Sequence, residues 1–299
     1  MLTKTLATAL FSVALVAANS SSGAAADWTA VANALGKPGT EIPGGIYRVG
    51  LPRSDLTVTL DGVTLKPSLA LGSWLAFAPI GNKAVVMGDL VLTEEEVSPV
   101  MKKLAEEQIE ITALHNHLFR ARPMIFYMHV YGMGDAVALA RDLHQALLLS
   151  KTPLGASPPP SANPTIDLDT TAIHRALSAT GKIAGGVYQV GIPRKAPVTE
   201  HGMTIPAAMG SAEAINFQPT GKGKAAITGD FVLVASEVNP VLRALRENGI
   251  EVTALHNHML DEQPRLFFMH FWANNDLNTL LRGLHATLGN IAVERTGAR

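Results

Sequence analysis

Histidine is the residue type in this chain with the clearest chemical potential, because it recurs in a duplicated pattern. His115 and His117 lie in an Ala-Leu-His-Asn-His segment, and His129 follows directly after Met128. The second copy repeats the arrangement 141 residues later (256 − 115, 258 − 117, 270 − 129), at His256, His258 and His270. Imidazole is the commonest metal ligand in proteins. The pattern therefore predicts a metal site in at least one copy.

The spacing within a copy is compatible with three imidazoles on one face of a β-hairpin. Side chains alternate along a strand, so the odd-numbered residues from Ile109 to His117 share a face, with two imidazoles roughly 6.5–7 Å apart. Residues 118–123 supply a turn, and Met124 to Gly132 is typical of a returning strand that places His129 opposite or diagonal to His117. Three imidazoles form most of a zinc shell and leave a position for water, whose pKa zinc lowers towards neutrality. The alternative is that the histidines only pack in a core.

Four duplicated acidic residues are candidates for supporting roles at such a site. Glu96 and Glu237 lie near the beginning of predicted helices. Each supplies a fourth metal ligand, acts as a general acid/base, or only stabilises the helix N-terminus. Asp89 and Asp230 follow glycines in duplicated strands, and each either orients a histidine or belongs to a turn.

The composition narrows the classes of partner. The chain has 299 residues, of which 47% are hydrophobic and 16% charged, and this is typical of a well-packed globular protein. A formal net charge of −1 without long runs of one sign argues against nucleic acid and against an anionic membrane surface. A small-molecule substrate is the expected partner. Since there is no cysteine, metal ligands must come from His, Asp, Glu or water.

The first 26 residues are typical of an export signal. Lys4 supplies the positive charge, Leu6 to Ala18 the apolar segment, and Ala24-Ala25-Ala26 a small-residue cleavage site. The apolar segment is too short and too rich in small residues to predict a membrane span. The sequence therefore predicts a periplasmic or secreted protein, with no stable membrane insertion once the signal is removed.

The rest of the chain divides into two homologous domains. We expect a signal peptide at 1–26, a first repeat domain at 27–150, a Pro/Ser-rich linker at 151–166, a second repeat domain at 167–290 and a C-terminal tail at 291–299. The linker contains Pro158, Pro159 and Pro160, which predict a semi-rigid, extended segment.

Within each domain the hydrophobic periodicity predicts a helix, three strands, a second helix, the hairpin and a last helix. In the first copy these fall at 28–35, 44–53, 75–78, 84–92, 96–107, 109–132 and 135–149. A glycine bulge is expected at Gly88 and Gly229, and Arg53 and Arg194 either bind a substrate carboxylate or lie on the surface. The predicted fold is α+β, with two tandem homologous α+β domains, each a mainly antiparallel sheet with a His-bearing hairpin and packing helices.

Two resemblances accompany these motifs. With its duplicated Ala-Leu-His-Asn-His and Met-His segments, the chain resembles the LppY/LpqO-type family of exported bacterial proteins over nearly all of its mature length, which implies no established activity. The pattern of His115, His117 and His129 is also similar to that of acetolactate decarboxylases, which bind zinc with a His-x-His pair and a third histidine. That similarity implies a mononuclear metal and an α+β domain.

The sequence thus favours an exported metal-dependent enzyme. Its expected activity is zinc-dependent hydrolysis of ester or amide bonds, or a decarboxylase-like lyase reaction, with a divalent transition metal bound by the six histidines and Glu96 or Glu237 as the acid/base. The alternatives are a periplasmic metal- or small-solute-binding protein without catalysis, and a structural module whose histidines only pack.

Overall fold

The computed structural model of the protein describes residues 27–156 and 164–294. The predicted signal peptide, the central part of the predicted linker and the last residues of the tail lie outside this description. Within it, every helix is too short or too polar to cross a membrane. The first residues of the tail pack on the second repeat, where Ile291 and Val293 are buried.

The first repeat contains four helices and eight strands within its described part. In chain order they are α1 (Trp28–Leu35), β1 (Thr40–Ile42), β2 (Ile46–Pro52), β3 (Val58–Leu60), β4 (Val63–Leu65), α2 (Pro67–Ala70), β5 (Gly72–Ile80), β6 (Lys83–Thr93), α3 (Glu94–Glu106), β7 (Glu110–His115), β8 (Ile125–Gly134) and α4 (Ala136–Leu147).

The second repeat has the same series, except that a single turn of 3₁₀ helix at Ala207–Met209 replaces α2. Its elements are α5 (Thr170–Leu177), β9 (Lys182–Ala184), β10 (Val187–Pro193), β11 (Thr199–Glu200), β12 (Met203–Thr204), β13 (Ala212–Gly221), β14 (Lys224–Val234), α6 (Ala235–Glu247), β15 (Glu251–His256), β16 (Leu266–Asp276) and α7 (Leu277–Leu288).

Each repeat is built on a six-stranded antiparallel sheet. The strand order is β1-β2-β5-β6-β8-β7 in the first and β9-β10-β13-β14-β16-β15 in the second. The long strands β6 and β8 pair in register from Ala84–Gly134 to Thr93–Ile125, and β14 pairs with β16 in the same way. The predicted α+β class with two tandem domains is confirmed.

The two sheets pack against each other, and the helices cover their outer faces. Two hydrophobic clusters are internal to the repeats and join helices such as α1, α3 and α4 to one face of the sheet. Two further clusters combine residues of both repeats, for example Val91 with Trp272, and Met87 with Phe268. The molecule therefore has four layers in the order helix, sheet, sheet, helix, and the middle interface belongs to both repeats.

The glycines expected to form bulges lie in regular parts of their strands. Gly88 pairs with Leu75 and Val130, and Gly229 pairs with Ile215 and Phe271, without a register shift. A Cβ at Gly88 would lie 2.6 Å from the Trp74 carbonyl oxygen, so close strand packing requires glycine there. The prediction of a glycine bulge was wrong, because glycine occurs in strands both at bulges and where a neighbouring strand approaches closely.

The bulges lie instead in β7 and β15, directly before the histidines. The register shifts between Ile111 and Ala113, which pair with the successive residues Val130 and His129, and β15 has the equivalent shift between Val252 and Ala254. The strict alternation predicted from Ile109 to His117 therefore breaks at the bulge. Ile111 packs with the helices, while Ala113 lies opposite His129 on the face towards the other sheet.

Candidate metal centre

Six histidines, three from each repeat, meet in the middle interface. In each repeat the first histidine ends a strand, the second lies two residues beyond it, and the third lies in the neighbouring strand. Because the sheets face each other, every ring stacks on a ring of the other repeat. The centroid distances are 3.5 Å for His115–His256, 3.6 Å for His117–His270 and 3.7 Å for His129–His258.

Distances within one repeat are longer but still short enough for a shared site. The His115 ring lies 5.0 Å from those of both His117 and His129. The His256 ring lies 4.8 Å from that of His258 and 4.9 Å from that of His270. The sequence predicted two separate trios, whereas the structure joins them in one cluster.

Two aspartates face these histidines from the adjacent strands. Asp89 in β6 pairs in register with His129, and Asp230 in β14 pairs with His270. Oδ1 of Asp89 lies 3.7 Å from Nε2 of His129. The Asp230 carboxylate lies 3.7 Å from Nε2 of both His258 and His270. The structure therefore places the aspartates beside the histidines and not in turns, and we call the six histidines together with Asp89 and Asp230 the histidine centre.

The polar atoms of the histidine centre are buried and lack hydrogen-bond partners within the described part of the chain. These atoms are Nε2 of all six histidines, Nδ1 of His115, and Oδ1 of both aspartates. A buried polar group left unpaired costs about 1–3 kcal/mol. Converging lone pairs of this kind could hold a cation.

The backbone fixes the orientation of at least two of the rings. Nδ1 of His270 lies 2.9 Å from the carbonyl oxygen of Gly229, and Nδ1 of His256 lies 3.2 Å from that of Asn257. Because a carbonyl only accepts, each Nδ1 must carry the proton, and Nε2 is left with its lone pair directed into the centre. This is the tautomer that a metal-binding histidine adopts when its other nitrogen is hydrogen-bonded.

Burial keeps these histidines uncharged. Desolvation and the neighbouring His256 lower the pKa of His115 to about 3, and desolvation lowers the pKa of His256 to about 4. The pKa values of the other four fall well below the usual range for the same reason. Burial acts in the opposite sense on the carboxyls, raising the pKa of Asp89 to about 8 and that of Asp230, which also faces Asp89, well above its usual value.

Four overlapping sets of side chains bring their ligand atoms within 4.8 Å of one another. They are Asp89 with His117 and His129; Asp230 with His258 and His270; His115 with His117, His256 and His270; and His115 with His129 and His258. The described residues thus contain clusters that could hold a metal ion.

Aromatic side chains flank the histidine centre and were not predicted to contact it. The Tyr127 ring stacks on His117 at 3.3 Å, and the Phe268 ring stacks on His258 at 3.5 Å. Tyr127 also donates a hydrogen bond to the Ala70 carbonyl. The signal was present in the sequence, because Tyr127 shares its predicted strand face with His129.

Glu96 and Glu237, the expected acid/base residues, lie in separate ion-pair networks and outside the four sets. Glu96 binds Arg53 at 2.7 Å and accepts hydrogen bonds from the Thr93 and Lys151 backbone amides. Although burial opposes it, these bonds lower the pKa of Glu96. Glu237 binds Arg194 at 2.9 Å in the same arrangement. The two arginines, expected on the surface or at a substrate, are therefore buried partners of helix N-termini.

The space beside the histidine centre is narrow. A cleft next to His129 and His258, lined also by Trp74, Met87 and Met209, has a volume of about 10 Å³, roughly the space of one water molecule. Small-molecule sites usually occupy roughly 300–1,000 Å³. The cleft is thus smaller than a typical substrate pocket.

A family model described as Domain of Unknown Function (DUF1259) matches residues 29–148 and again residues 171–290. The chain belongs to this family. Its two DUF1259 repeats coincide with the two domains described above. The expected LppY/LpqO-type assignment and the similarity to acetolactate decarboxylases were wrong, because the family found is DUF1259.

Other comparisons add little to the DUF1259 match. A sequence search of curated proteins gave no match. Among solved structures, a trimeric bacterial microcompartment shell protein, PduB, matches at 12% identity and a TM-score of 0.19, covering 83% of this chain and 87% of that one. EtuB from Clostridium kluyveri matches at 9% identity and a TM-score of 0.21, covering 84% and 88%. TM-scores this low carry no argument about the role of the DUF1259 chain.

The comparisons nevertheless correct several expectations. The family description names no activity, so the DUF1259 match gives no support to a hydrolase or a decarboxylase. The cleft is also smaller than a substrate site. We therefore withdraw the predictions of an exported zinc hydrolase or lyase, of a small-molecule substrate, and of a periplasmic or secreted location. The predicted internal repeat is confirmed.

Proposed function

We propose that the DUF1259 chain binds divalent transition-metal ions in the histidine centre and that the bound metal stabilises the folded chain. The observation that carries this proposal is the set of six buried imidazole Nε2 atoms, contributed equally by the two repeats, that face one another without hydrogen-bond partners among the described residues.

Electrostatics supports metal binding over simple packing. Neutral imidazoles with Nε2 lone pairs directed inward are ready to bind a cation without first losing a proton. The two buried carboxyls supply negative charge once they ionise against the metal. Packing alone would leave these polar atoms unsatisfied, at about 1–3 kcal/mol for each group.

The position of the centre determines what the metal would do. Each candidate ligand set brings together, within 4.8 Å of one another, side chains that are well separated in the sequence, so a bound ion would join segments that meet only in the folded chain. Binding to the folded state alone stabilises it, by about 2.7 kcal/mol at a metal concentration 100 times Kd. Imidazole suits zinc, copper, nickel and iron, and the carboxylates favour the harder of these ions.

Metal uptake and thermal stability test the proposal together. Protein stripped with a chelator is titrated with Zn²⁺, Co²⁺ or Ni²⁺ in equilibrium dialysis, and Tm is recorded with and without saturating metal. We expect tight uptake and a rise in Tm of roughly 5–10 °C for the best ion, taking ~2–4 °C for each kcal/mol.

Two variants provide the comparison. Replacing His117 and His258 by alanine should abolish the metal-dependent rise, whereas His174→Ala, at an exposed histidine outside the centre, should retain it. Absence of uptake, or an equal rise in all three proteins, would show that the histidines only pack.

A further inference from the structure

The two repeats contribute equivalent ligand triads to the histidine centre. Asp89, His117 and His129 form the first triad, and each has its counterpart 141 residues later, in Asp230, His258 and His270. In both triads the three ligand atoms lie within 4.8 Å of one another. Each repeat thus supplies its own set of three ligands, one aspartate and two histidines.

The sets that cross between repeats are less suited to simultaneous occupation. One comprises His115, His117, His256 and His270, and the other comprises His115, His129 and His258. Both require His115, whereas the two triads share no residue. A single ion in the four-histidine set would also leave the buried Oδ1 atoms of both aspartates unpaired.

The charges of the ligands also favour one ion in each triad. Each triad pairs one carboxyl with two neutral imidazoles, so that each dication would have its own anionic ligand. Two ions bound in this way use six of the eight side chains and leave His115 and His256, whose rings stack at 3.5 Å, outside both triads. A ligand set of two imidazoles and one carboxylate suits Fe²⁺, Mn²⁺, Co²⁺ or Zn²⁺ better than the soft ion Cu⁺.

Resting on the metal-binding function proposed above, we propose that the histidine centre binds two divalent ions, one for each repeat. Asp89, His117 and His129 hold the first, and Asp230, His258 and His270 hold the second.

Counting the ions in matched double variants tests this assignment. The metal is Co²⁺, and the count is read by native mass spectrometry of the full chain. The first variant removes two histidines of one triad, His117→Ala with His129→Ala. The second also removes two histidines but takes one from each triad, His117→Ala with His270→Ala. Each double variant removes two imidazole rings from the same interface, so the two variants lose the same side-chain volume.

The expected counts are two ions for the unmodified chain, one for the first double variant and none for the second. The opposite result, none for the first and one for the second, would show that ions are shared across the repeats and would overturn the assignment. One ion in the unmodified chain would overturn the two-ion proposal while leaving metal binding intact. No ion in the unmodified chain would contradict the proposed function itself.

A conservative change covers the case in which a double variant fails to fold. Asp89→Asn keeps the volume of the side chain and removes its charge, and it should reduce the count from two to one. Retention of two ions at unchanged affinity would exclude Asp89 as a ligand and overturn the proposal. Circular dichroism and gel filtration establish that each variant is folded before the ions are counted.

Discussion

The histidine centre brings together side chains that would be costly to bury in any other arrangement. Each imidazole is uncharged, and backbone carbonyls hold Nδ1 of His256 and His270 so that Nε2 faces inward. A protonated pair stacked at less than 4 Å would repel. The centre can therefore accept an added cation, whereas protonation of its stacked histidines is unfavourable.

The sequence predicted the six histidines but not the full surroundings of any of them. Their duplication and their His-x-His spacing are visible without a structure. From the sequence, Asp89 and Asp230 are either partners of a histidine or turn residues, and only strand pairing decides between these roles. The contact of His117 with His270 depends on how two domains dock, which no local pattern encodes.

Glu213 is a buried carboxyl outside the histidine centre whose protonation should affect stability. It is fully buried in β13, accepts a hydrogen bond from the Val232 amide, and lies 3.7 Å from Arg194. Asp230 and Glu237 are the other charged groups that act on it. Burial raises the pKa of Glu213 well above its usual value in spite of Arg194.

The sign of the pH effect follows from this shift. Between the pKa values of the unfolded and folded states, the folded chain keeps a proton that the unfolded chain has lost, so stability falls as pH rises through this window. We expect Glu213→Gln to be more stable than the unmodified chain at pH 8, with the difference shrinking towards pH 5. Urea unfolding at both values measures it, with exposed Glu247→Gln as control. A gap that widens as the pH falls would contradict the assignment.

At the scale of elements, buried arginines join the second long helix of each repeat to the sheet. Arg53 follows β2 and binds Glu96 of α3 at 2.7 Å, Asp55 at 2.8 Å and the Val91 carbonyl at 2.6 Å. Glu96 in turn accepts the Lys151 amide beyond α4. One ion pair thus connects a strand end, a helix start and the segment that leaves the repeat.

Removing this arginine should be strongly destabilising, because it leaves carboxylates buried without a counter-charge. We expect Arg53→Met to lower the free energy of unfolding by about 3–5 kcal/mol. Arg141→Met, at an exposed position of α4, is the matched control and should leave the urea midpoint unchanged. A small loss for Arg53→Met, equal to that of the control, would show that the network contributes little.

Periodicity predicted most helices and the long strands, and failed where elements are short or irregular. The helix expected at 28–35 is α1 (Trp28–Leu35), and the one expected at 96–107 begins two residues earlier. Strands β1, β3 and β4 have three residues each, too few to show a period. The bulge at Ile111–Ala113 also has no sequence signature, since it depends on pairing with β8.

At the scale of the whole molecule, the middle interface makes one unit of two similar halves. Besides the shared hydrophobic clusters, Gln218 accepts from the Lys66 amide and donates to the Thr64 carbonyl, both in the other repeat. The near-continuous apolar run of β6, Ala84 to Leu92 apart from Gly88 and Asp89, was a usable signal. Strands of this kind are buried on both faces, so the run indicated that a second layer covers the sheet.

The central claim is that metal lies between the two DUF1259 repeats, and anomalous diffraction from crystals of Co²⁺-loaded protein tests it most directly. We predict two anomalous peaks in the middle interface, one beside Asp89, His117 and His129 and the other beside Asp230, His258 and His270. Peaks found only at surface histidines such as His174, with none between the sheets, would contradict the account.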